Sequence, residues 1–344
     1  MRALIEVTNA GLGNTIQDNS RFGYRHQGVP VSGFLDRTLA QCANALVGNS
    51  LDLACIEIRA LGPTINVKYG PALVALSGNI KANLIRSNSE SHVLMPWCSV
   101  LLFDGDSIHI QNAEDGCAYF SVSGGIDVPL TMGSRSTYAR VGLGGLEGRA
   151  LRATDSFQSG EFDVLSLKTV RSNEAFKYEQ EFIRVILGPQ QENFTPQAIL
   201  NLSQFTWETT FEQDRMGIRL KGGKLEHLNT KSADIASDGI APGSIQVPGS
   251  GEPILLLADC QTMGGYPKIA TVISADLHLM AHMCSGTKFR FSVVTLDEAY
   301  QALLDLNDAR ISWLQGLRPY QQIGFIDDLA LYKENLISGI IWND

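Results

Sequence analysis

Residues 53–120 read LACIEIRALGPTINVKYGPALVALSGNIKANLIRSNSESHVLMPWCSVLLFDGDSIHIQNAEDGCAYF. Short apolar segments recur through this stretch and just past it: IEIRAL, TINVKY, ALVALSG, HVLMP, SVLLFDGDSIHI and AYFSVSGG. Turns rich in Gly, Pro, Asp and Asn separate them. Alternation is clearest in Thr64–Tyr69 and Ser107–Ile110, which puts every second side chain on one face. Strands this short at this spacing predict a β-barrel or sandwich, not a doubly wound sheet.

Upstream, residues 37–49 (RTLAQCANALVGN) have helical spacing, with Leu39, Cys42, Ala43 and Leu46 on one face and Gly48 at a C-terminal stop. Downstream, residues 124–160 are glycine-rich. Gly142, Gly144 and Gly148 are one residue off the GxGxxG spacing, and no strand leads cleanly into a helix there, so the stretch reads as an irregular glycine loop. The polar stretch 166–180 reads as a linker or exposed hairpin. Strands resume at Phe182–Pro189. A helix is expected after Thr195, with Pro196 at its first position. Ile254–Ala258 is an apolar run between two Gly/Pro loops. It reads either as a buried strand that presents Asp259, Gln261 and Thr262 to a ligand, or as a surface hairpin. Thr295 to Glu298 forms a capping box that opens a helix over residues 295–317, and the tail after Pro319 alternates helix and loop signals.

Two short fragments recur in the same order. Arg21-Phe-Gly23-Tyr-Arg25 resembles Arg215-Met-Gly217-Ile-Arg219, and Val29–Gly33 resembles Val247–Gly251. The recurrence suggests a tandem duplication.

The chain has 344 residues, 44% apolar and 18% charged, with 27 basic and 36 acidic side chains and a net charge of −9. That describes a globular chain with room for two domains and argues against nucleic acid or an anionic membrane as main partner. The N-terminal residues lack the apolar core of a secretory signal and no apolar run is of bilayer-spanning length, so cytoplasm is the expected location. Six cysteines without a CxxC read as reduced, buried and inert.

There is no GxSxG elbow. His278 and His282, with Cys284 near, have a spacing that could ligate a metal, but the Glu of HExxH is missing and Leu279, Met280 and Met283 look like core. They read as ordinary helix histidines, with no metal. Asp18 with Arg21, and Asp259 with Gln261, could bind an amide or act as a base. Arg21 and Arg215 could grip a carboxylate by paired hydrogen bonds. The same residues could instead tie loops together.

The segments TIQDNSRFGY, VPVSGFLD, GGIDVP, GSRST, DRMGIRL and GSIQVPGSGEPILLLADCQTMGGYP together resemble one family. It is that of the 5-oxoprolinase C subunits, also described as allophanate hydrolase subunit 2 or biotin-dependent carboxyltransferase-like. It includes the carboxyltransferase region of urea carboxylase and the antagonist of a sporulation kinase inhibitor. The resemblance runs from about Thr15 to Phe291.

The resemblance implies a mainly β fold of two tandem cyclophilin-like β-barrels, over residues 1–170 and 180–300, with a few short helices and a helical extension over 301–344. It implies a substrate cleft between the barrels. It also implies B-type and A-type partner subunits, which together with this chain open 5-oxoproline to glutamate with ATP, the nucleotide bound by this chain or by a partner. It places Asp18, Asp259 and Tyr266 as catalytic residues. Gln17, Arg21, Tyr24, Ser32, Asp36, Arg215, Gln246 and Gln261 fall to substrate binding.

His282 stands where the family pattern has Gln, and Cys284-Ser285-Gly286 replaces a Pro-Gly turn. No biotinyl-lysine Met-Lys-Met motif is present, so biotin would be carried by another chain. Two further readings stay open: carboxyl transfer from carboxybiotin to urea or a related amide, and a protein that sequesters a B-type partner without chemistry.

Overall fold

The computed structural model describes residues 1–178 and 181–320. The fold is mainly β. Strands drawn from Leu4 to Ser159 form two antiparallel sheets. One has seven strands, in the order Ile126–Asp127, Ser156–Ser159, Leu4–Asn9, Thr64–Tyr69, Ser107–Ala113, Ile80–Ile85, Ser91–Leu94. The other has five: Thr15–Gln17, Cys55–Ile58, Ala118–Val122, Ala72–Ser77, Ser99–Leu102. The alternation in Thr64–Lys68 does what period 2 dictates: Ile65 and Val67 are buried while Thr64, Asn66 and Lys68 lie on the other face, and Tyr69, at the strand's end, is exposed. They join Ile5, Ile108, Ile56, Leu76 and Phe120 in one core. Each such side chain stabilises the fold by roughly 1.5–3 kcal/mol.

A second core sits inside an eight-stranded sheet built from Ile183 to Val293. Its edge strands, Lys288–Phe289 and Phe291–Val293, are separated in sequence by Arg290 alone. The chain therefore steps from one edge of the sheet to the other, and the sheet curls until it is nearly closed. Ile254–Leu256 is an interior strand of it, paired with Gly217–Lys221 on one side and Ser244–Gln246 on the other. Of the two readings of that run, the buried strand is the one adopted.

Among the described residues, three α-helices complete the fold. α1 (Arg37–Leu46) begins at Asp36, whose carboxylate accepts from Leu39 N, and ends before Gly48 at φ 74°. α2 (Pro196–Gln204) is capped by Thr195 with Pro196 in its first turn. α3 (Leu296–Gln315) carries the Thr295–Glu298 capping box in full. Ala299 and Ala302 of α3 pack on Ile273 and Ala275. The rest of the expected helical extension, from 321 on, lies outside the described residues.

The two β units share a core. Phe34, Leu35, Leu39, Cys55 and Tyr119 from the first pack with Val185, Ile245, Leu257 and Met280 from the second. Three expectations change here. Residues 166–178 are not simply exposed: Val170–Arg171 pairs with Arg318–Pro319, and Phe176 packs on the shared core. Ser274–His282 is a 3-10 helix, not an α-helix. At about three residues per turn the i, i+4 register of an α-helix does not apply, and the two rings meet instead on Tyr178, with centroids at 3.7 Å for His278 and 5.9 Å for His282. Of the six cysteines, Cys284 is exposed and Cys98 half-buried. Burial raises the thiol of Cys55 to about 12 and that of Cys260 to about 11.

Candidate active site at the seam

The strand Thr15–Gln17 delivers a polar loop into the seam between the β units. Gln17 is fully buried, and its Nε2 donates to Thr15 Oγ1 (3.0 Å) and Thr137 O (3.1 Å), while its Oε1 has no partner. Asp18 sits in a cup made by the GSRST segment. Its Oδ1 accepts from Ser134 Oγ (2.6 Å), Ser136 Oγ (2.5 Å) and Ser20 N (3.2 Å), and its Oδ2 from Arg135 N (2.5 Å). These four bonds use about the full accepting capacity of a carboxylate.

Arg21 is fully buried. Its Nε donates to Thr131 O (3.0 Å) and its Nη2 to Ser136 O (2.7 Å), and its Nη1 has no partner. Burial draws its pKa below the usual guanidinium value, against the opposing pull of Asp18 and Asp259. The glycine loop closes over it. Gly144 has φ +70°, and a Cβ there would lie 2.1 Å from Ser136 O and 2.6 Å from Arg21 Nη2. The loop is thus filled by the protein's own groups and does not fit as a phosphate cradle for ATP. Gln17 and Arg21 donate to the carbonyls of consecutive residues, Thr137 O and Ser136 O. Ser32, at φ 50°, donates its N–H to Ala258 O across the seam (3.0 Å) and leaves its buried Oγ unpartnered.

Arg215 enters from the second unit. Its Nη1 meets Glu57 Oε1 (2.5 Å), its Nε Asp259 Oδ2 (2.9 Å), and its Nη2 both Gly33 O (2.7 Å) and Asp259 Oδ1 (3.3 Å). Burial opposes its charge, but Asp259 and Glu57 outweigh burial and raise its pKa. Glu57 is fully buried and also accepts from Tyr119 Oη (2.6 Å) and Leu35 N (2.9 Å). Arg215 therefore ties the units together and has no side of its fork turned to a ligand.

Gln246, Gln261 and Tyr266 form a separate group in the second unit. Gln246 Nε2 donates to Tyr266 O (3.1 Å) and its Oε1 accepts from Gln261 Nε2 (3.4 Å), while the Tyr266 side chain and Gln261 face solvent. Tyr24 is half-buried at the start of a 3-10 turn.

Asp36 stands apart, beside α1. It is fully buried, and its carboxylate accepts from Tyr178 Oη (2.8 Å to each oxygen), Leu39 N (2.9 Å) and His282 Nε2 (2.7 Å). His282 Nδ1 lies 2.9 Å from Asp115 O. Both ring nitrogens face acceptors, an arrangement that favours the doubly protonated ring. Burial would lower the His282 pKa, but Asp36 raises it above its ordinary value. Burial would raise that of Asp36, but His282 brings it below its own. His278 stacks on Tyr178 with ring centroids 3.7 Å apart, and its burial lowers its pKa. Among the described residues, no group of three or more His, Cys, Asp or Glu side chains is placed to hold a metal.

Glu57, Tyr119, Ser134, Ser136 and Tyr178 were not singled out from the sequence. Glu57 carried a signal, as the one charged side chain inside the apolar segment CIEI. The suggested repeat is also better read elsewhere. Ser32 is buried and Ser250 exposed, so that fragment has no common role. Thr15–Gln17 and Ser244–Gln246 are each a fully buried three-residue strand ending in a buried Gln.

Two β units joined over a polar seam are the architecture of a carboxyltransferase domain. The family model described as carboxyltransferase domain, subdomain A and B, matches residues 27–293, and the chain belongs to that family. It is 32% identical over 303 residues to the 5-oxoprolinase C subunit of Escherichia coli (strain K12), a match covering 88% of this chain and 95% of that protein. The protein of the same description from Haemophilus influenzae is 31% identical over 297 residues, 86% of this chain and 93% of its own length. Among solved structures, the K. lactis urea amidolyase superposes with a TM-score of 0.80 at 25% identity, over 94% of this chain and 20% of that much longer one. No helix of the described residues is long and apolar enough to cross a membrane.

Proposed function

We propose that this chain is the C-type subunit of an ATP-dependent 5-oxoprolinase, holding the lactam in the seam for ring opening to glutamate with B-type and A-type partner subunits. The observation that carries the reading is the pair of free, buried polar atoms of opposite sense that hang from adjacent carbonyls, Arg21 Nη1 and Gln17 Oε1. A 5-oxoproline molecule presents a carboxylate for the first and a ring N–H for the second. Pairing them with a ligand removes the cost of burying them alone.

Of the two carboxylates, Asp18 is saturated and orients the loop. Among the described residues Asp259 accepts side-chain bonds only from Arg215, so it retains accepting capacity and takes the role of general base. Ser32 and Tyr24 shape the first-unit side of the cleft, and Asp36, with its carboxylate engaged by Tyr178, Leu39 and His282, supports it from beside α1. Gln246, Gln261 and the Tyr266 phenol form its second-unit rim, with Tyr266 as proton donor to the leaving nitrogen. ATP-dependent activation of the amide falls to a partner chain, and the cytoplasm is the compartment this chemistry calls for. The likeness to two 5-oxoprolinase C subunits over nearly their full length supports this reading.

The test is 5-oxoproline turnover by the reconstituted subunits. Asp259→Asn is expected to lower kcat by about 10²–10⁴-fold, and Arg21→Lys to raise KM. No turnover with all partners present, or wild-type kinetics in both variants, ends the proposal. The structural match to urea amidolyase favours a second reading, carboxyl transfer to urea with biotin on another chain. Urea-dependent consumption of carboxybiotin, with no 5-oxoproline turnover, would select it.

A further inference from the structure

A cavity of about 570 Å³ lies where α1, the loop around Ser20–Leu35, the Leu257–Ala258 corner and α3 converge. Its wall carries Arg37, Arg310 and His278 and, among the described residues, no carboxylate, in a chain whose net charge is −9. Three polar atoms of wall residues have no partner among the described residues: Ser32 Oγ, His278 Nε2 and Arg310 Nε. Ser32 is 1% exposed and His278 6%. Arg310 is held in place, with Nη1 on Gln41 Oε1 and Nη2 on Asn307 Oδ1 (3.1 Å). Arg37 is exposed and makes no side-chain hydrogen bond or ion pair among the described residues. The remaining wall is largely apolar, with Phe34, Leu277, Leu303 and Leu306 among its members.

We propose that this cavity is a binding site for a small organic anion, a carboxylate on an apolar body, distinct from the lactam site. The two guanidinium groups take the carboxylate by charge-assisted hydrogen bonds, and the Leu/Phe wall takes the body. The volume is within the range of sites that bury a small organic ligand. A free phosphate would use the arginines but leave the apolar wall facing water. Arg310 and Asn307 come from α3, C-terminal to residues 27–293 of the family match. The proposal does not rest on the 5-oxoprolinase reading. Only Ser32 belongs to both sites.

The test titrates octanoate, octanamide and inorganic phosphate into the full chain by calorimetry. Octanoate is expected to bind one to one and at least about tenfold more tightly than octanamide. Arg37→Met and Arg310→Met are each expected to weaken it about tenfold, with melting temperature unchanged and 5-oxoproline turnover by the complex unaffected. If Arg310→Met melts early, Arg37→Met, at an exposed position, decides alone. Absence of octanoate binding, equal binding of octanamide, tighter binding of phosphate, or variants that bind like wild type would each overturn the proposal.

Discussion

Replacing Arg215 by Met tests whether the seam is held by charge. The side chain is 14% exposed, and its partners Glu57 and Asp259 are 0% and 7% exposed. Removing the guanidinium leaves two buried carboxylates facing one another without a cation and orphans Gly33 O. Breaking a buried pair on one side costs about 3–5 kcal/mol, because the remaining charge stays desolvated. Unfolding entropy of about 2.1 cal/mol/K per residue over 344 residues converts this to a fall in melting temperature of about 4–7 °C.

Glu57→Gln added to Arg215→Met removes one of the stranded charges, so the double variant is expected to melt above Arg215→Met alone. A Lys at 215 keeps the charge but not the fork that reaches Glu57, Asp259 and Gly33 together, and falls between. The assay is thermal unfolding of the four proteins at neutral pH. An Arg215→Met protein that melts within 1 °C (roughly the precision of the measurement) of wild type, with its loss confined to KM, would refute the clamp and return Arg215 to the substrate.

The His282–Asp36 pair makes stability depend on pH at both ends. A raised His pKa contributes stability that is complete below the unfolded value of about 6.5 and is lost as pH rises through the folded one. A lowered Asp pKa contributes stability that is present above its unfolded value of about 3.9 and is lost as pH falls through the folded one. Melting temperature should therefore fall on the alkaline side in wild type and less so in His282→Gln; parallel profiles from pH 6 to 9 (about the span in which this His titrates) would contradict this. Gly144→Ala is expected to cost about 1–3 kcal/mol more in urea unfolding than Gly133→Ala. Both have positive φ, but a Cβ at 144 strikes Ser136 O and Arg21, and one at 133 meets nothing within 4 Å. Equal costs would mean that strain alone acts at 144.

What the sequence disclosed was local. The period-2 pattern of Thr64–Tyr69, the stop at Gly48, the Pro196 start and the Thr295–Glu298 box each depend on a few neighbouring residues, and each is found where expected. The 3-10 geometry of Ser274–His282 was not legible, because four apolar residues around two histidines suit either helix. The choice was made by packing against Tyr178 and by Asp36, which lies 246 positions away from His282. Polar residues such as Asp18 and Arg215 were visible as chemistry but not as partners. Whether a carboxylate is saturated depends on who donates to it, and for Asp18 three of the four donors lie at 134–136.

The residues that bind the units together and those left free to meet a ligand are therefore separated by a property no motif encodes. Arg21 and Arg215 occupy similar Arg-x-Gly settings, and both feel Asp259. One has every arm of its guanidinium engaged, with Asp259 in its own unit and with Glu57 and Gly33 across the seam, and the other keeps a buried Nη1 without a partner among the described residues. A cleft between two units needs both. Without the saturated arginine the walls would not hold at fixed spacing over the desolvated carboxylates, and without the unsaturated one the cleft would have nothing that a small anion completes. The duplicated look of the two segments thus hides a division of labour, set by which of them faces Glu57.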